Sequence, residues 1–210
     1  MRDHLVFYVN GNRHTVGGDE ALLTLSDYLR GSGPASGSGG AGSALGGERL
    51  CGTKIACAEG DCGACTVLVG KPSESGDHFR YETIDACIAF LFQLDQRHIV
   101  TVEGLSDGDR LSPVQQAMVD CHGSQCGFCT PGFVMALQGL VEEGASCALG
   151  GCPDDSPPDD GFPGDGSLDD GSLDDGSLDD GSLDDDAMRL GLSGNLCRCT
   201  GYSQILDAGR

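Results

Sequence analysis

Residues 52–67 read Gly52-Thr-Lys-Ile-Ala-Cys57-Ala-Glu-Gly-Asp-Cys62-Gly-Ala-Cys65-Thr-Val67. Three cysteines follow a C-x4-C-x2-C spacing with glycines set between them, and Cys87 stands further on as a possible fourth member. That spacing suits a [2Fe–2S] cluster. A cluster held by four thiolates is doubly negative when oxidised and gains another negative charge on reduction. It is tolerated away from water only where backbone N–H groups turn toward the sulfurs. Gly60 and Gly63 permit the φ values that turn successive amides inward. Cys87, on the apolar segment Ile84–Leu91, would close the site from outside the loop. The competing readings are free core cysteines and a structural zinc site. Zinc is usually held by paired C-x2-C elements, so three cysteines crowded into residues 57–65 favour iron–sulfur.

A second set consists of Cys126-x2-Cys129 and, much later, Cys197-x-Cys199. Taken alone, either pair would also suit zinc. Two clusters in one small chain imply an electron relay, because a relay needs a donor side and an acceptor side. Four cysteines remain. Cys51 and Cys121 flank ligands but break the spacings, and Cys147 and Cys152 lie in a low-complexity stretch. All four read as thiols without a ligand role. His122 reads as a structural or surface histidine, because both ligand sets are complete without it.

The whole chain of 210 residues has a net charge of −21, which argues against nucleic acid and anionic membrane surfaces as partners. Fourteen aspartates fall within residues 150–186, which hold no Lys, Arg or Glu, so the remainder carries only about −7. The N-terminal apolar run is too short for a signal peptide, and no run reaches membrane-spanning length. Twelve cysteines in such a chain point to metal-bound thiolates in a reducing, cytoplasmic setting rather than to disulfides.

Working outward from the loop, residues 5–9 alternate and Asn10-Gly11 precedes Arg13–Val16, which predicts a hairpin. The leucine spacing over 21–30 predicts a helix. Residues 31–48 have the composition of a flexible Gly/Ser insertion. Thr66–Val69, Phe79–Tyr81 and His98–Val102 are strand candidates. Ser112-Pro113 predicts a helix start, with that helix running to about Cys121. A second helix is expected from just after Pro131 to about Glu143. Residues 144–186, with four Gly-Ser-Leu-Asp-Asp repeats, read as a solvated acidic insertion. The fold class is α+β: a first domain over 1–106 and an all-α second domain over 107–210.

Residues 52–67 closely resemble the N-terminal cluster loop of the molybdenum hydroxylases, the xanthine dehydrogenase and aldehyde oxidoreductase group. His122-Gly-Ser-Gln-Cys126-Gly-Phe-Cys129-Thr-Pro-Gly132 and Gly194-Asn-Leu-Cys197-Arg-Cys199-Thr-Gly-Tyr202 are similar to that family's second motif. The resemblance covers residues 4–30, 50–143 and 187–210. It implies a β-grasp, plant-ferredoxin-like domain followed by a four-helix [2Fe–2S]-binding domain. It implies that Cys57, Cys62, Cys65 and Cys87 hold the first cluster on the flavin side. Cys126, Cys129, Cys197 and Cys199 would hold the second beside the molybdopterin, with Gln125 and Cys199 lying against the pterin. The family separates the second pair of motifs by a shorter connection than the one here.

The implied function is the iron–sulfur subunit, or N-terminal segment, of a molybdopterin-dependent hydroxylase. It would pass electrons from molybdenum through both clusters to FAD. Molybdopterin and FAD are expected on a large subunit and on a flavin subunit or domain. The motifs look closest to xanthine dehydrogenase. The alternatives are a small subunit of an aldehyde or carbon monoxide dehydrogenase, a free-standing two-cluster ferredoxin, and a structural zinc protein. No residue of this chain is expected to do substrate chemistry.

Overall fold

A computed structural model describes residues 3–31, 49–73, 78–148 and 185–210. The chain opens with the predicted hairpin. Strand β1 (His4–Val9) pairs antiparallel with β2 (Asn12–Gly17), from His4 opposite Gly17 to Val9 opposite Asn12. Asn10 and Gly11 both take positive φ, 47° and 81°. This tight turn has the twist that suits a two-residue hairpin.

The expected helix over 21–30 is shorter than its leucine spacing suggests. Gly18–Leu22 forms a 3-10 turn and α1 covers only Leu25–Leu29. The backbone between them is taken by the neighbouring segment: Leu25 N–H donates to Ala89 C=O at 2.7 Å and Leu91 N–H to Leu23 C=O at 3.0 Å. Thr24 then caps α1, its side chain accepting from Asp27 N–H. Tertiary hydrogen bonds therefore override the helical pattern.

Strands β3 (Thr66–Pro72), β4 (Phe79–Asp85) and β5 (His98–Val100) complete a mixed sheet in the order β2-β1-β5-β3-β4. β1 and β5 run parallel, while β3 is antiparallel to both β4 and β5. β4 runs four residues beyond its expected end, and β5 stops two short of it. Residues Thr66 to Val69 are all buried, because β3 is covered on both faces. One face meets the core of Phe7, Leu25, Leu29, Leu91 and Ile99. The other meets α3 (Thr130–Ala148), where a side chain on Gly139 would press on Leu68 and Thr83.

Four helices of the described residues share a second apolar cluster that includes Phe133, Leu137, Met188 and Ile205. They are α2 (Pro113–Asp120), α3, α4 (Asp185–Gly191) and α5 (Ser203–Gly209). Ser112 caps α2 by accepting from Gln115 N–H, and Gln115 reciprocates, which fixes the predicted start. α3 runs five residues past Glu143, so the acidic stretch begins inside a helix, and its last two residues open α4. Residues 149–184 and 32–48, which contain most of the two expected insertions, lie outside the described residues.

One histidine ties the sheet together. His98 Nε2 accepts from Gly11 N–H at 3.2 Å, and its Nδ1 lies 2.6 Å from Tyr81 Oη, joining the hairpin turn, β5 and β4. Burial holds its pKa below the ordinary 6.5. The neutral ring is thus favoured in the folded chain. Its contribution to stability is present above about pH 6.5 and is lost as pH falls below that value. The urea midpoint should therefore drop between pH 7.5 and 5.5, and His98→Gln should shrink that drop. An equal drop in the variant would assign the acid sensitivity elsewhere.

Candidate iron–sulfur centres

The first loop is held by its flanks. Arg30 Nη1 donates to the carbonyls of Cys51 and Thr53, at 3.2 and 2.9 Å. Gly52 N–H donates to Glu103 Oε1 at 2.6 Å. Inside the loop, Ala58, Gly60 and Gly63 take positive φ of 58°, 80° and 65°. These reversals aim the N–H groups of Glu59 and Asp61 at the Cys57 sulfur. Together with the Cys62 thiol they pull the Cys57 pKa down to about 6. Amides converging on a sulfur are what an anionic cluster requires.

The thiols gather in twos. Cys57 pairs with Cys62, and Cys65 with Cys87. Cys65 and Cys87 are buried, and burial pushes the Cys65 pKa far up. Its sulfur also donates to Asp85 Oδ1 at 3.4 Å.

The second set repeats the arrangement, with Cys126 against Cys199 and Cys129 against Cys197. Cys129 immediately precedes α3, and Cys197 and Cys199 lie between α4 and α5. Burial lifts Cys129 to about 12. Burial opposes ionisation of Cys197, but hydrogen bonds from the Thr200 hydroxyl and N–H, together with the Cys199 N–H and the Cys129 thiol, outweigh it and bring Cys197 down to about 7. Cys126 is lowered by the Phe128 N–H and by Cys199, while Cys199 is raised by its contact with Cys126. Cys126 and Cys199 are exposed and Cys197 is buried, so one edge of this centre faces solvent.

Among the described residues, no three His, Cys, Asp or Glu side chains gather round a single-ion position. Twos suit a [2Fe–2S] core, in which each iron takes two thiolates and the sulfides bridge. They suit a tetrahedral zinc site, with four ligands round one point, less well. Chemistry and grouping both fit iron–sulfur.

The two loops touch. Leu196 N–H donates to Cys62 C=O at 3.0 Å. The buried Asn195 donates from Nδ2 to Gly63 C=O at 2.9 Å and to Thr66 Oγ1 at 3.2 Å. Gly132, in the first turn of α3, lies directly on the Gly63 carbonyl. One hydrogen bond therefore joins the residue next to Cys197 with Cys62 itself.

Other residues singled out in the sequence stand apart. Gln125 is exposed beside Cys126. His122 is exposed in a positive-φ turn after α2. Cys51 is exposed, and Cys121 packs at the margin of the second apolar cluster. Cys152 and the Cys147 side chain lie outside what the structure describes. Spacing alone did not reveal Asn195, Thr200 or Tyr202, because their roles depend on contacts rather than on cysteine intervals.

Residues 101–210 match the family model of the [2Fe-2S] binding domain. Xanthine dehydrogenase from Oryza sativa subsp. japonica is 36% identical over 98% of this chain, and aldehyde oxidase 4 from Cavia porcellus 34% over 99%. The chain spans only 11% and 12% of those two proteins. The structure of quinoline 2-oxidoreductase from Pseudomonas putida 86 aligns with a TM-score of 0.62 at 26% identity, covering 98% of this chain and 89% of that one. Aldehyde oxidoreductase from Desulfovibrio gigas aligns at 0.64 and 27%, covering 98% of this chain and 16% of that one. Among the described residues no helix is long and apolar enough to cross a membrane. The chain belongs to the [2Fe-2S] binding domain family and is homologous to the iron–sulfur part of the molybdenum hydroxylases, xanthine dehydrogenase and aldehyde oxidase among them.

Proposed function

We propose that this chain is the electron-transfer component of a molybdopterin-dependent hydroxylase, holding two [2Fe–2S] clusters. Cys57, Cys62, Cys65 and Cys87 hold the first, in a β-grasp domain over about 1–106. Cys126, Cys129, Cys197 and Cys199 hold the second, in a four-helix domain over about 107–210. When bound, each cluster supplies a one-electron carrier. Molybdopterin and FAD belong to partner subunits or domains, and the similarity to xanthine dehydrogenases favours a purine-oxidising assembly.

The observation that carries this reading is the 3.0 Å hydrogen bond from Leu196 N–H to Cys62 C=O. It links a backbone next to one ligand set with a ligand of the other, a short through-bond path with no solvent gap. Beside it Asn195 and Gly63 are buried, while the Leu196 side chain is exposed. The exposed Cys199 and Gln125 give the second centre an edge at which a pterin partner can sit, whereas Cys65 and Cys87 are enclosed.

Reduced protein should show two distinguishable EPR signals and about four irons per chain; zinc without either signal would sink the proposal. In the assembled enzyme, Cys199→Ser should slow electron entry from the molybdenum side by at least ~10-fold while keeping the first cluster's signal. Unchanged turnover with an artificial acceptor at the flavin would overturn the ordered relay.

A further inference from the structure

We propose that Thr200 sets the reduction potential of the second cluster through a hydroxyl whose direction the backbone fixes. This rests on the reading of Cys197 as a cluster ligand. Thr200 Oγ1 lies 3.2 Å from Cys197 Sγ. The same oxygen accepts from Tyr202 N–H at 3.1 Å. An amide can only donate, so Tyr202 occupies a lone pair of Thr200 and leaves the single hydroxyl proton for another partner. A cysteine thiolate bound to iron can only accept. The Thr200 O–H therefore donates to Cys197 Sγ, and the Thr200 N–H points at the same sulfur from 3.5 Å.

Tyr202 closes the circuit. Cys197 N–H donates to Tyr202 Oη at 2.9 Å, and the tyrosine ring meets Phe133 edge-on at 6.0 Å between centroids. Tyr202 holds φ at 72°, which presents its N–H to Thr200 while its ring folds back over Cys197. Cys197, Tyr202 and Thr200 thus form a closed ring of hydrogen bonds round one sulfur. Cys197 belongs to the second apolar cluster, and Tyr202 meets it through Phe133.

Cys197 is also the buried member of its set, only 8% exposed, whereas Cys126 and Cys199 are open to water. Solvent supplies donors to the exposed sulfurs whatever the sequence. At Cys197 the protein must supply them. A donor at sulfur draws charge from the thiolate and favours the more negative, reduced state of the cluster, which raises its potential. Thr200 is a positioning and tuning residue rather than a ligand.

The test is an EPR-monitored redox titration of the assembled protein. Thr200→Val should lower the potential of the second cluster by a shift corresponding to about tenfold in the reduction equilibrium, or ~59 mV for one electron. The first cluster should not move, and Thr200→Ser should restore the wild-type value. An unshifted potential in Thr200→Val, with both signals present, overturns the proposal. Thr200→Ala is the second variant, and whichever of the two retains both clusters is read. If neither does while Thr200→Ser does, the hydroxyl is a structural requirement and the tuning role fails. A wild-type protein with only one signal would instead remove the ligand assignment on which the proposal stands.

Discussion

Cys197→Ala is expected to erase the EPR signal of the second cluster and leave that of the first. Cys197 is buried and paired with Cys129, so as a proposed ligand its loss would leave the second cluster one thiolate short at the least exposed corner of the set. Iron content should fall by about half, because metal binding and local folding are coupled at such sites. The first loop keeps all its own partners, including the Cys65–Cys87 contact and the amides aimed at Cys57. Cys51→Ala is the control: Cys51 is exposed, its backbone carbonyl makes the hydrogen bonds, and both signals should persist. Survival of the second signal in Cys197→Ala would refute the assignment of its ligand set. Loss of both signals would mean that the two centres assemble only together.

Gly132→Ala should be strongly damaging although it leaves every thiol in place. A Cβ at this position falls onto the Gly63 carbonyl oxygen, with the Gly63 carbonyl carbon at 3.1 Å and Ala64 Cα at 3.2 Å. These are backbone atoms of the first cluster loop and cannot rotate away. Either α3 or the loop must shift. Overpacking of this kind costs about 1–3 kcal/mol, and more where the obstacle is main chain. We expect ~3 kcal/mol lost in urea unfolding, with a changed visible spectrum. Gly144→Ala on the same helix meets nothing within 4 Å and should be neutral or gain up to ~1 kcal/mol. Equal stability of the two variants would show that the contact between loop and helix is not tight.

Local chemistry was legible in the sequence, and long-range pairing was not. Asn10-Gly11 announced its hairpin because a two-residue turn needs φ values that few other residues tolerate. Ser112-Pro113 announced α2 because capping is a contact between near neighbours. The helix expected over 21–30 failed at Leu23 and Leu25, whose backbone groups bond to residues 91 and 89. Propensity has no information about such partners. The parallel pairing of β1 with β5 joins Tyr8 to His98 across most of the first unit, and no periodicity encodes it.

The candidate site divides in the same way. The eight cysteines proposed as ligands were readable as intervals, because a cluster loop constrains spacing along the chain. Their grouping in twos, the Asn195 clamp and the ring round Cys197 depend on segments that meet only after folding. Thr200 and Tyr202 stood within the quoted motif, but nothing in its spacing distinguished them from connecting residues.

The bond between Leu196 and Cys62 also joins residues that leave the ribosome far apart in time. Once residue 87 has left the ribosome, the first loop has all its own thiols, yet the carbonyls of Cys62 and Gly63 still lack their partners Leu196 and Asn195. Until residues 195 and 196 arrive, that side of the first loop is uncovered. Residues 195 and 196 are thus a late-arriving cover for a loop made more than a hundred residues earlier. Asn195→Ala, with both EPR signals present at the start, should bleach faster in air than the unaltered protein. Equal rates would show that the cover is provided elsewhere.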